Sequence, residues 1–204
     1  MTNSIIAIKG NHLDKVAKIF ECFKYNDLDQ DIAFDTTDKF NEYLLDYYFE
    51  FANHEVALRG IWVGNGWTII SDPEMVDTVD EEALLKLSNE LNSDVLTFII
   101  QTTSGSFGFA KYNKTKERQF FSTDGEVYDN IGSQSSEEEG LNLNEKVFGD
   151  DILKLATNFG IDLQGNSSSF FVVKQLGYSD EMKKELEQFR KVHTNQTADT
   201  KKPW

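Results

Sequence analysis

Few side chains in this sequence stand at spacings that could carry out chemistry. His12, His54 and His193 are the three histidines, and none has a second His four residues away or a suitably spaced Cys or Glu. A zinc site therefore has no signature here. Cys22 is the single cysteine, which excludes an internal disulfide. To act as a nucleophile it would need a base or cation to draw off its proton, and no neighbour in sequence supplies one. Asp27, Asp29 and Asp31 alternate like the opening of a calcium loop. The position that demands glycine is Ile32, however, and the bidentate Glu position is Asp38, so the stretch reads as an acidic, solvated connection. Gly64-Asn65-Gly66 lacks the third glycine and the following helix of a dinucleotide fingerprint. Ser104-Gly105-Ser106 is not a nucleophile elbow. Carboxylates are too numerous for any two to be singled out as an acid/base pair. These residues predict no catalytic group, no metal and no cofactor.

The elements that would position any site are plainer. Ser4–Lys9 reads as a first strand ended by Gly10. Leu13, Val16, Ile19, Phe20 and Phe23 then form a helical stripe after a cap at Asn11. Thr37 caps a second helix carrying Phe40, Tyr43, Leu44, Tyr47 and Phe51. Residues 56–63 and 67–71 form a hairpin around Gly64-Asn65-Gly66, with Trp62 and Trp67 flanking the turn. Thr78 with Glu81 has the pattern of a capping box ahead of a helix with Leu84, Leu85, Leu87 and Leu91. Strands at 95–101, 106–112 and 117–122 make a meander, and Asp124-Gly125 is a strong hairpin turn into Glu126–Asp129. Gly132–Glu145 is a loop by composition. A helix with Phe148, Ile152, Leu155 and Phe159 ends at Gly160. A last strand falls at 170–174, and Ser179 caps a final helix with Met182, Leu186 and Phe189. The expected fold is a single α+β domain over 1–193, a mixed and mainly antiparallel sheet with helices packed on one face. Residues 194–204 read as a polar tail.

Charge is the strongest global feature, with 20 Lys plus Arg against 35 Asp plus Glu and a net charge of −15. Such a chain repels nucleic acid and attracts a basic protein partner. The excess concentrates in Asp27–Glu50, eight acids against Lys39, and in Asp72–Asp94, eight acids against Lys86. Asp27, Asp29, Asp31, Asp80, Glu81 and Glu82 are accordingly the expected partner-binding residues. No apolar run approaches the roughly 20 residues that span a bilayer, and charges interrupt the first 20 residues. A soluble, cytoplasmic protein without membrane contact is expected.

The one basic cluster is Lys111, Lys114, Lys116 and Arg118. Set against Glu137–Glu139, it has the composition of surface charge pairing, each exposed pair worth about 0–1 kcal/mol. Its alternative role is a sheet-face pocket for an anionic aromatic ligand, lined by Trp62, Trp67, Lys111, Tyr112 and Arg118. That would make the chain a small-molecule-binding or enzymatic domain. A regulatory or scaffold protein without a ligand is a further alternative.

From Gly60 to Leu163, the segment GWTIISDPE, a Leu-rich helix, Arg118, STDGEVYDNIG, the acidic EEEG turn and LATNFGIDL occur in an order that resembles a class of uncharacterised bacterial proteins. Members of that class often sit beside polymorphic toxin systems or are immunity-type interaction proteins. The resemblance implies a binding or inhibitory module and transfers no catalytic residue. The leading expectation is a non-enzymatic, acidic, immunity-like inhibitor of a basic partner protein.

Overall fold

A computed structural model of the chain describes residues 2–47, 49–50, 53, 56–144, 146–163 and 171–187. His54, His193, the connection at 164–168 and the tail at 194–204 lie outside the described residues. No helix of the described residues is long and apolar enough to cross a membrane.

The strands are β1 (Thr2–Lys9), β2 (Tyr25–Phe34), β3 (Ala57–Gly64), β4 (Trp67–Ser71), β5 (Val95–Gln101), β6 (Ser106–Asn113), β7 (Thr115–Thr123), β8 (Glu126–Ile131) and β9 (Phe171–Tyr178). They form one nine-stranded sheet in the order β2-β9-β3-β4-β1-β5-β6-β7-β8. Every pairing is antiparallel. The helices are α1 (Val16–Cys22), α2 (Thr37–Asp46), α3 (Glu81–Leu91) and α4 (Gly149–Asn158), followed by α5 over residues 180–187. The α+β class and the antiparallel sheet are as the sequence reads.

The helices cover both faces of the sheet, where the sequence reading had placed them on one. Ile5 and Ala7 of β1 join Phe98, Phe109, Phe40 of α2 and Ile152 and Leu155 of α4 in one core layer. Ile6 and Ile8 point the other way, to Ile19 and Phe20 of α1 and Leu84 and Leu87 of α3. A strand that is apolar at every position has two faces to bury, and period-two geometry assigns alternate residues to each. The apolar run Ile5–Ile8, and Leu96–Ile100 with only Thr97 interrupting it, carry this signal.

Local chemistry explains the turns. Asn65 and Gly66 have φ of 52° and 80°, and Asp124 and Gly125 have 51° and 80°, the paired positive values of a two-residue hairpin turn. Gly132 has φ of 83°, and a Cβ there would sit 2.0 Å from the Glu117 carbonyl oxygen, so only glycine fits.

Three further sequence expectations change. The acidic stretch after Tyr25 is the edge strand β2 rather than a connection. It pairs with β9 and carries a bulge between Asp27 and Gln30, where Asp29 has φ of 53°. Thr36, not Thr37, caps α2 through a bond from the Lys39 N–H. Asp80, not Thr78, caps α3, accepting from the Ala83 N–H at 3.0 Å. Thr78 is buried and its hydroxyl is engaged by Ser4 and Asp72.

Candidate functional site

The five residues expected to line a ligand pocket do not converge. Trp62 and Trp67 are buried in the layer beneath α2 and α4, where the Trp67 indole N–H donates to the Phe159 carbonyl at 3.2 Å and Lys9 lies over its ring at 4.4 Å. Tyr112 faces the opposite layer with α3. Arg118 and Lys111 stand across from each other on β7 and β6, at the far side of the sheet from the tryptophans. Arg118 is 2% exposed. Its Nε and Nη2 donate to the Glu138 carboxylate at 2.8–3.1 Å. Its Nη1 donates to the Gln119 and Ile131 carbonyls and to Asn130 Oδ1. A guanidinium so enclosed fastens the β7–β8 hairpin to the following turn and offers no face to a ligand. Lys111 pairs with Glu117 at 2.9 Å and Lys116 with Glu81 at 2.6 Å. Three of the four cations of the basic cluster, Lys111, Lys116 and Arg118, are thus charge-paired.

Sequence reasoning missed a dense group of buried charges among the described residues. Arg59, on β3, is fully buried. It lies 2.6 Å from Asp77, 3.0 Å from Glu74 and 3.3 Å from Asp72. Its Nη2 also donates to the Tyr25 hydroxyl at 2.8 Å, and that hydroxyl donates to Asp77 Oδ1 at 2.9 Å. The Tyr178 ring of β9 lies tilted against that of Tyr25, centres 5.7 Å apart, and its hydroxyl donates to Glu74 at 3.5 Å. The group joins β2, β3 and β9 to the connection between β4 and α3. Burial works against the Arg59 charge, but Asp77 and Asp72 outweigh it and hold its pKa well above the usual value. Burial, reinforced by Asp77, raises the Tyr25 phenol too, although Arg59 opposes it. The signal was a lone arginine inside the apolar run Ala57-Leu58-Arg59-Gly60-Ile61: a charge in a buried strand requires partners. The group's ion pairs and hydrogen bonds tie β2 and β3 to the connection after β4, and so hold these elements together.

An open concavity lies beside it, with Tyr25 common to both. A cleft of about 380 Å³ is bounded by the end of α1, the start of β2, the first turns of α3 and the start of α5. Glu21, Asp80, Glu82 and Glu181 supply four carboxylates, against Lys24 and Lys86. Lys24 is already held by Glu185 at 2.8 Å and Glu181 at 3.1 Å. Cys22 forms part of the wall. Burial, with Glu90 nearby, pushes its thiol up to about 11, so it is neutral and unreactive at physiological pH.

The expected partner-binding carboxylates divide between this cleft and the sheet edge. Asp80 and Glu82 line the cleft, while Glu81 turns to Lys116. Asp27 and Asp31 grip Lys174 of β9 at 2.8 and 2.7 Å, and Asp29 sits at the bulge. Chemically the cleft can accept a cationic side chain. No group of three or more potential metal ligands occurs among the described residues. The chain matches no protein-family model, no curated protein and no solved structure.

Proposed function

We propose that this chain is a non-enzymatic, acidic interaction module of the cytoplasm that engages a basic partner protein, in the manner of an immunity-type inhibitor that masks its target. The observation that carries the reading is the convergence of Glu21 from α1, Asp80 and Glu82 from the start of α3, and Glu181 from α5 on one open cleft. A lysine or arginine presented by the partner enters this cleft and meets carboxylates held by rigid backbone. The remaining negative surface steers the encounter, since long-range attraction raises association rates more than it deepens affinity. The resemblance of residues 60–163 to immunity-type proteins points to the same class.

The test uses the untagged protein as bait in native lysate, followed by titration of the captured partner against the wild type and a Glu21→Gln/Glu82→Gln variant. Both side chains are exposed, so the variant should fold like the wild type. Binding should weaken roughly tenfold in the variant and further at about 0.5 M NaCl. A partner whose affinity is indifferent to both changes would refute the reading.

A further inference from the structure

Asp72 ends the β4 hairpin and opens the connection to α3, and its surroundings are the least balanced of any carboxylate in the buried group. Its side chain is fully buried. Oδ2 accepts from the Thr78 N–H at 3.0 Å and the Thr78 hydroxyl at 3.2 Å. Oδ1 accepts no hydrogen bond, although Arg59 Nη2 lies 3.3 Å away. The other Arg59 donors are committed to Asp77, Glu74, the Leu58 carbonyl and the Tyr25 hydroxyl. An ionised Asp72 is therefore a third negative charge around one guanidinium, with one oxygen left dry. A buried carboxylate in that position costs far more than the neutral acid.

The facing groups come from every neighbouring element. β1 offers only Ser4, whose hydroxyl bonds that of Thr78. β2 offers Tyr25, β3 offers Arg59, and β9 offers Tyr178 through Glu74. The connection itself brings Glu74 and Asp77.

We propose that Asp72 is a buried protonation site that latches the Asp72–Asp80 connection to the sheet, its hold tighter while the proton is on and looser when it leaves. Burial is the largest influence on this carboxyl. Arg59 opposes it and Asp77 adds to it, and the result is pushed up to about 6. Opening of the connection returns Asp72 to water and to an ordinary carboxylate pKa of about 3.9. The open form binds the proton less well, so opening is favoured as pH rises from about 4 to about 6 and levels off above. Because Asp80 caps α3 and lines the acidic cleft, the latch acts on the rim of that cleft. The inference is independent of the partner reading, since its readouts come from this chain alone.

The experiment is amide hydrogen exchange on the whole chain between pH 4.5 and 7.5, corrected for intrinsic exchange rates. The reporters are the Thr78, Val79 and Asp80 amides, bonded to Asp72 Oδ2, the Val76 carbonyl and the Asp77 carbonyl. Their protection should fall about twentyfold across this range, relative to Phe109 in β6. In Asp72→Asn the fall should vanish. The carboxyl carbon of Asp72, followed by NMR in the wild type, should titrate near pH 6, and this readout decides the matter even where the variant fails to fold. An Asp72 that stays ionised down to pH 4.5, or reporter amides whose corrected protection does not change with pH, would overturn the proposal.

Discussion

Replacing Arg59 by methionine removes the cation that Asp72, Glu74 and Asp77 share while keeping a long apolar side chain on β3. Three ion pairs at 2.6–3.3 Å are lost together, along with the bond to the Tyr25 hydroxyl. Breaking a buried pair by deleting one partner costs about 3–5 kcal/mol, because the surviving charge has no compensation. Against a domain stability of roughly 5–15 kcal/mol, that is a large share. The carboxylates can limit the loss by taking up protons, and each pKa unit of that relief is worth about 1.4 kcal/mol. The expected deficit is therefore on the order of 4 kcal/mol at pH 7.5 and roughly half of that at pH 5.5. The sign follows from the orphaned acids: their folded pKa values lie above the unfolded ones, so the variant loses stability as pH rises. Urea unfolding of wild type and variant at both pH values, with matched slopes, measures it. A loss below about 1 kcal/mol at pH 7.5, or an equal loss at both pH values, would refute the reasoning that this group is an ion-paired clasp.

Two further outcomes follow from the geometry. Gly132→Ala places a methyl 2.0 Å from the Glu117 carbonyl at φ of 83°. It should therefore lower stability by about 3 kcal/mol or more, against about 1 kcal/mol for Gly66→Ala, where nothing lies within 4 Å; thermal melts of the two variants compare them directly. Cys22 should be alkylated by iodoacetamide at pH 8 far more slowly than a free thiol, because its pKa of about 11 leaves little thiolate. Unfolding in urea should abolish the difference, and rapid labelling of the native protein would contradict the buried, neutral assignment.

Most strands were legible because β-branched and aromatic residues cluster between clear turn signals: 95–101 and 67–71 agree with β5 and β4 to the residue. β2 escaped because its outward positions are aspartates and its bulge breaks the alternation on which a strand is recognised. The cap of α3 was misplaced by two residues since Thr78 and Asp80 are both good caps. The buried demand of Asp72 and Ser4 claims the threonine hydroxyl, which local sequence cannot reveal. The candidate site was visible only in part. Asp80 and Glu82 stood out by charge density, but Glu21 and Glu181 join them through tertiary contact across most of the chain. Arg118 stood out as basic and proved to be enclosed, because its partner Glu138 lies beyond an intervening hairpin.

β9 comes last in chain order among the described strands, yet it lies between β2 and β3 and is the described strand to which β2 is bonded. A nascent chain emerging from the ribosome can assemble β3 through β8 while β2 and α2 wait without a berth. Until residues 171–178 arrive, the flank of β3 stands bare, with Ala57, Leu58, Ile61 and Trp62 ready to pair with the wrong chain. Insertion of that late segment is a zipping step over long sequence separation, so completion of the sheet should lag behind its first collapse.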